Sequence, residues 1–335
     1  MAVAQVRDVA ALAGVSPATV SNALNHPHKV SPATLTRIQA AIDELGYIRN
    51  DAARQLRAGT NDAIGLIVLD IANPFYIDVA RGVENILLAA QRPLIMGNSS
   101  QEAGRETTYL DLFEQQHTSG VLISPVADVM DRLRRLRDRG TSVVLVDRMG
   151  RAEEFSSVAI DDSVGGRIAI EHLLSIGRRR IAFIGGPADV APITNRLNAA
   201  RATVEAHGSG EITFVETDIM TAEAGRLGME HLLDQPKPKL PDAVFAANDL
   251  LALGVLQALT LRGISVPDDI AIVGYDDIDF AASAAIPLTS VRQPALQMGS
   301  TAAQLLLDVI ADPAASKVEH VTLEPELVIR RSTSG

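Results

Sequence analysis

The sequence predicts an α/β protein in two parts, a small all-α helix-turn-helix headpiece followed by a two-lobed core of doubly wound parallel sheets. Three observations carry this expectation. Within the first sixty residues, short helical repeats are separated by Gly14, Ser16-Pro17, Ser31-Pro32 and Gly46, the residue types that stop and start helices. After Thr60, apolar strands alternate with amphipathic helices in two successive runs, the pattern of parallel α/β sheets. Charge divides at the same place. The chain has a formal net charge of −11, yet residues 1–60 hold six Lys/Arg against four Asp/Glu, leaving 24 against 37 for the remainder. Basic groups are thus concentrated where a reader of phosphate-rich DNA would sit, and the acidic bulk suits a part kept away from phosphates.

In the headpiece, Val6, Val9, Ala10 and Ala13 recur at helical spacing, and Gly14 supplies a tight turn. Ser16 then caps a second helix with Pro17 at its first position, where no amide donor is missed. Val15, Val20 and Leu24 can pack on the first helix, so Pro17, Ala18, Thr19, Ser21 and Asn22 stay on a face free for a groove. A third helix is expected between Ser31-Pro32 and Gly46, with Leu35, Ile38, Ala41, Ile42 and Leu45 on one stripe. Beyond it, Asn50 offers a cap and Gly59 a stop for a helix of about two turns, too short to be stable alone in water.

In the core, strands are expected at 63–70, 93–98, 120–124 and 142–147, with helices near 76–90, 104–116 and 128–139. After a strand at 158–161, a second run places strands at 181–185, 212–215, 243–246 and 270–274 between helices near 163–176, 194–206, 222–233 and 250–262. The chain then returns through 288–291, a helix at 294–311 and strands at 318–323 and 327–330. The predicted division is a headpiece at 1–49, a hinge at 50–60 and a core at 61–335. Lobe one takes about 61–160 and 288–318, and lobe two about 161–287 and 319–331.

Ligands of such sheets sit beyond the carboxyl ends of the strands. The residues there are Asn73, Phe75 and Tyr76 after the first strand, then Asp147-Arg148, Asn248-Asp249 and Asp276. A carboxylate and an arginine can each bond two adjacent hydroxyls, and an aromatic face can cover the apolar side of a sugar ring. From the residues alone, Phe75 and Tyr76 read equally as first-turn core residues of the next helix. Arg196 and Asp276 also fit an ion pair across the lobes, and Asn248 fits a helix cap; Asp249 is read as a cap.

Several classes are disfavoured. No phosphate-binding glycine loop, zinc-protease motif or serine-hydrolase elbow occurs, so no enzyme activity and no cofactor are expected. His26 and His28 flank Pro27 without a further nearby ligand and read as a solvated turn, not a metal site. There are no cysteines, no apolar run of membrane-spanning length and no signal-like start at Met1, which together predict a cytoplasmic protein with no membrane partner.

Through Asp8–Ser21, Val30–Arg37, Tyr47–Asn50 and Ala53–Leu56 the chain resembles the lactose/galactose-repressor (LacI/GalR) family of transcriptional regulators. The layout after Thr60 resembles that family's periplasmic-binding-protein-like core, two lobes linked by three crossings. The resemblance implies a homodimeric regulator, expected to be a repressor, on a palindromic operator, controlled by a small-molecule effector, expected to be a sugar. It assigns phosphate contacts to Ser16, Thr19, Ser21, Asn25, Ser31 and Thr34, base reading to Pro17, Ala18 and Asn22, and a minor-groove hinge to Asn50, Ala53 and Leu56, with Leu56 as the wedge. The effector site it implies comprises Asn73, Phe75, Tyr76, Asp147, Arg148, Arg196, Met220, Asn248 and Asp276. Met220 stands where several sugar-binding relatives present an aromatic platform. Control by a phosphorylated carrier protein, or a receptor role without DNA, are the alternatives. The receptor role is opposed by the headpiece and by the missing export signal.

Overall fold

The structure is a computed structural model that describes residues 4–47, 61–126, 128–150, 153–188, 190–236, 240–314 and 316–334. It divides into two units, residues 1–60 and 61–335.

In the first unit, α1 (Val6–Ala13), α2 (Pro17–Asn25) and α3 (Pro32–Leu45) enclose Val9, Ala10, Ala13, Val20, Ala23, Ile38 and Ala41. Helix boundaries follow the punctuation. Gly14 and Gly46 adopt left-handed φ values of 63° and 59°, which only glycine accepts without strain, and each closes a helix with its own amide. Ser16 accepts the Thr19 amide at 3.1 Å, and Ser31 the Thr34 amide at 3.4 Å. A single 3₁₀ turn at Pro27–Lys29, unmarked in the helical pattern, carries the exposed His26 and His28 on or beside it.

The second unit holds two six-stranded sheets. Sheet one runs in the order β11 (His320–Leu323), β5 (Ser156–Ile160), β4 (Ser142–Val146), β3 (Thr118–Ile123), β1 (Asn61–Val68), β2 (Leu94–Asn98), with every neighbour parallel. Sheet two runs β12 (Glu326–Val328), β10 (Thr289–Arg292), β9 (Ala271–Asp276), β8 (Ala243–Ala246), β6 (Arg180–Gly185), β7 (Glu211–Glu216), parallel except for the antiparallel edge pair β10–β12. The central strands are buried along their whole length, as strands covered by helices on both faces must be. Lobe one carries α4 (Pro74–Ala89), α5 (Ala103–Gln115), α6 (Met130–Asp138) and α12 (Ala295–Ala311). Lobe two carries α7 (Asp162–Ser175), α8 (Ala191–His207), α9 (Ala222–Leu233), α10 (Asp249–Leu261) and α11 (Asp279–Ser283). Helices α4 and α12 cross at Gly82 and Gly299, where a Cβ would meet the Leu296 and Val79 carbonyl oxygens at 2.2 and 2.0 Å.

Two strands depart from the expected allocation. β10, expected in lobe one, lies in sheet two beside β9, and β11, expected in lobe two, extends sheet one beside β5. The chain therefore crosses between lobes near Asp161, at Gln293 and at Glu324-Pro325. Each misplaced strand is only four residues long, and a short apolar run fits either sheet equally. The short α11 was also unanticipated.

Candidate functional site

On the headpiece, Ser16, Pro17, Ala18 and Asn22 are exposed along one face of α2, with Thr19 and Ser21 half-buried beside them. Ser31 is exposed and Thr34 half-buried at the start of α3. The two serine–threonine pairs are tied within themselves, Ser16 Oγ to Thr19 Oγ1 at 2.9 Å and Ser31 Oγ donating to Thr34 Oγ1 at 2.9 Å. These hydroxyls are held at the N-termini of α2 and α3, where amides and the helix dipole favour an anion such as phosphate. The Asn25 side chain and Asn50, Ala53 and Leu56 lie outside the described residues.

In the core, both lobes line one cavity of about 40 Å³. Asn73, Phe75, Tyr76, Asp147, Arg196, Met220, Asn248 and Asp276 all face it. Asn73 caps α4, its Oδ1 accepting the Phe75 amide at 3.1 Å, which leaves Nδ2 to donate across the cleft to Asp276 Oδ2 at 2.8 Å. The other Asp276 oxygen accepts from Gln293 Nε2 at 2.6 Å. Tyr76 Oη donates to Asp147 Oδ2 at 3.0 Å, with the Phe75 ring edge-on at 4.9 Å. Asp147 and Asp276 both occupy positive φ, 56° and 104°, uncommon for residues with a Cβ and concentrated at functional sites.

Arg196 is 4% exposed, and its partner is Asp162, not Asp276. Nε donates to Asp162 Oδ1 at 2.7 Å, Nη1 donates to the Ala247 carbonyl at 2.7 Å, and the guanidinium lies 3.5 Å from the centroid of the Tyr275 ring. Burial opposes the arginine's charge, but Asp162, Tyr275 and Asp276 together outweigh it and hold the group protonated. The carboxylates facing the cavity behave otherwise. Burial and the charge of Asp162 push Asp147 up to about 7. Burial raises Asp276 to about 6, against the lowering influence of Arg196, Asn73 and Gln293. Two acceptors for hydroxyl hydrogens and one fixed donor group thus converge on one cavity.

Three expected residues sit differently from the simplest reading. Asn248 does both jobs open to it, capping α10 through the Leu251 amide at 2.9 Å while facing the cavity. Asp249, expected as the cap, instead turns inward, accepting from Ser290 Oγ at 2.7 Å and from the Ile278 amide at 2.9 Å. With Asn248 already in the capping position, the first helical residue is free to bind the neighbouring strand. Arg148 does not line the inner cavity but a wider space outside it, donating to the Pro125 carbonyl at 3.4 Å.

Sequence reasoning missed Asp162, Tyr275, Gln101 and Gln293. The strand-end rule reaches Asp162, two residues beyond β5, and Gln293, the first after β10. Gln293 lies between the expected strand at 288–291 and the expected helix at 294–311, a strand end the sequence reading does not examine. Among the described residues, no group of three or more His, Cys, Asp or Glu side chains could hold a metal, and no helix is long and apolar enough to cross a membrane.

The comparisons agree with this geometry. Residues 5–50 match bacterial regulatory proteins of the lacI family, and residues 170–333 match a periplasmic binding protein-like domain. The transcriptional regulator CelR of Thermobifida fusca is 40% identical over 97% of this chain and 96% of its own. A LacI-family regulator from Enterococcus faecium, solved with bound ribose, superposes with a TM-score of 0.74 at 29% identity, over 81% of this chain and 98% of that one. The lac repressor dimer, bound to operator and the anti-inducer ONPF, superposes at 0.81 with 26% identity over 99% of both chains. With an N-terminal helix-turn-helix unit, a two-lobed core whose cavity gathers charged side chains, and full-length relatives that are transcriptional regulators, the chain belongs to the lacI family and is a DNA-binding transcriptional regulator.

Proposed function

We propose that this regulator is a repressor that binds a palindromic operator as a homodimer in the cytoplasm and is switched by a sugar held between its lobes. One observation carries the reading: Asp147 and the buried Arg196 and Asp276, from opposite lobes, converge on one cavity. Gln293 Oε1 has no hydrogen-bond partner there although the residue is 4% exposed. A buried acceptor without a donor costs about 1–3 kcal/mol, which a ligand hydroxyl would recover. The relatives support the same class, since one solved neighbour holds ribose.

The headpiece supplies the operator contacts. Ser16, Thr19, Ser21, Asn25, Ser31 and Thr34 contact phosphates, Pro17, Ala18 and Asn22 meet base edges, and Asn50, Ala53 and Leu56 form the minor-groove hinge, with Leu56 wedging a base step. In the core, Asp276 accepts ligand hydroxyls and Arg196 donates to ring or hydroxyl oxygens. Asn73 and Gln293 already occupy Asp276, so the Asn73–Asp276 bond joins the lobes without ligand. A sugar competing for Asp276 changes the relative free energy of lobe arrangements, and any arrangement coupled to the headpiece changes operator affinity by the same free energy.

The test is direct. An operator is selected from random duplex DNA with the full-length protein, and its binding is titrated with neutral sugars. A sugar that shifts operator affinity supports the reading; a panel of sugars without binding or effect overturns it.

A further inference from the structure

Between Asp8 and Asp43 the headpiece sequence holds no carboxylate side chain, and its fixed cations in that stretch are Lys29 and Arg37 alone. The side chains proposed above for phosphate contact are all neutral, so each added positive charge there matters. Two further groups in the stretch can acquire one, His26 and His28, and neither has a part in the function proposed above. The backbone fixes where they stand. Ala18, Asn22 and His26 follow at four-residue spacing, which carries the exposed face of α2 one turn beyond Asn22, and the His26 amide donates to the Asn22 carbonyl at 2.7 Å. The 3₁₀ turn then closes by donation from the Lys29 amide to the His26 carbonyl at 2.8 Å and from the Val30 amide to the Pro27 carbonyl at 3.1 Å. Val30 packs on the headpiece core, and Ser31 caps α3.

His26, His28 and Lys29 are all exposed on this anchored turn. They link the face of α2 that carries Ala18 and Asn22 to the hydroxyls of Ser31 and Thr34 at the start of α3. The His26 and His28 rings stand 6.0 Å apart, inclined at 68°. Two imidazolium charges at that separation repel each other, and a phosphate beside them offsets the repulsion. An approaching duplex therefore favours the doubly protonated pair, and histidine is the side chain type that makes this exchange near neutral pH. The turn packs on α2, which has no titratable side chain, so the charge nearest in sequence is Lys29 on the turn itself. The carboxyl end of α2 adds to the effect, because the helix dipole favours a cation there.

We infer that the His26-Pro27-His28-Lys29 turn is a proton-dependent contact for DNA phosphates, at which His26 and His28 take up protons as the duplex binds. This rests on the headpiece binding DNA and is independent of what the cleft holds. Phosphates are the same in every sequence, so the contact strengthens binding to any duplex and makes the grip of the regulator on DNA depend on pH and salt together.

The experiment follows fluorescence anisotropy of the selected operator and of a random-sequence duplex, across pH and potassium chloride concentration. The proteins are full-length wild type, His26→Gln, His28→Gln and the double variant. Asp147 also exchanges its proton near pH 7, so the double variant is the reference at each pH. As pH falls from about 8 to about 6, wild type should gain roughly tenfold in affinity over the double variant on both duplexes. Over the same range its salt dependence, log K against log salt, should steepen by about 0.9 for each imidazole engaged. Each single variant should keep part of the gain. Both side chains are exposed, so all three variants should melt with wild type, which separates a lost contact from lost folding. A double variant with the same pH and salt dependence as wild type overturns the inference. A gain confined to the operator also overturns it, since the histidines would then be reading base edges.

Discussion

Asp147, half-buried, and Arg196, buried, both face the cavity, yet the carboxyl is pushed up to about 7 while the guanidinium is held charged, and the difference lies in their neighbours. Arg196 has Asp162 at 2.7 Å; Asp147 has a tyrosine hydroxyl and no cation in contact. Removing the charge of Asp162 should strand a buried guanidinium. Asp162→Asn is expected to lose about 3–5 kcal/mol in urea unfolding, and a loss below about 1 kcal/mol would show that the pair is dispensable. Asp147 gives the opposite sign. Its ordinary value of 3.8 rises to about 7 in the fold, so between these values the native state keeps a proton that the unfolded chain has released. The stability this provides at low pH is lost as pH rises towards 7. Asp147→Asn should therefore melt above wild type at pH 8, with the gap closing by pH 5, in a thermal-denaturation series of the ligand-free protein. A gap that is constant with pH contradicts the assignment. At this scale the sequence revealed residue types beyond strand ends but not pairings. Arg196 and Asp276 fit an ion pair because both are charged and lie near strand ends, whereas Asp162, unremarkable in an Asp161-Asp162 pair that starts a helix, is where the guanidinium points.

The elements were legible wherever chemistry marks both ends. Ser16-Pro17, Ser31-Pro32, Gly14 and Gly46 bound the headpiece helices because caps and left-handed glycines are local requirements. β10 and β11 were found as strands but assigned to the wrong sheets, because sheet membership is decided by distant partners: Val273–Asp276 for β10 and Ser157–Ile160 for β11. Glycines inside helices separate two causes in the same way. Gly299→Ala, on α12 where the helix meets the Val79 carbonyl, is expected to cost about 1–3 kcal/mol by forcing α4 and α12 apart. Gly104→Ala, in the first turn of α5 with nothing within 4 Å of its Cβ, should be neutral or stabilise by up to about 1 kcal/mol. Chemical denaturation of both variants checks the pair, and equal effects would contradict the close-packed crossing.

Across the whole molecule, the break in charge and pattern at Thr60 coincides with the division of the structure into residues 1–60 and 61–335. The sequence conveyed that break because a basic DNA reader and an acidic ligand binder obey different compositions. It did not convey the cavity, which exists only once Asn73, Asp147, Arg196 and Asp276 are folded together from positions over two hundred residues apart at their extremes. A chain of residues 61–335 should keep sugar binding by calorimetry and lose selected-operator binding by gel shift; operator binding by that chain would refute the division of labour. The central claim is that occupancy of the cleft controls the headpiece. The most direct test follows operator anisotropy during titration with the identified sugar, for wild type and Asp276→Asn. The substitution keeps one acceptor in place but removes the carboxylate that would take the ligand's hydroxyls, at a loss of about 1–3 kcal/mol. The sugar midpoint should rise between about fivefold and 150-fold with DNA binding still responsive at saturation. A midpoint unchanged from wild type would place the controlling ligand somewhere other than this cleft.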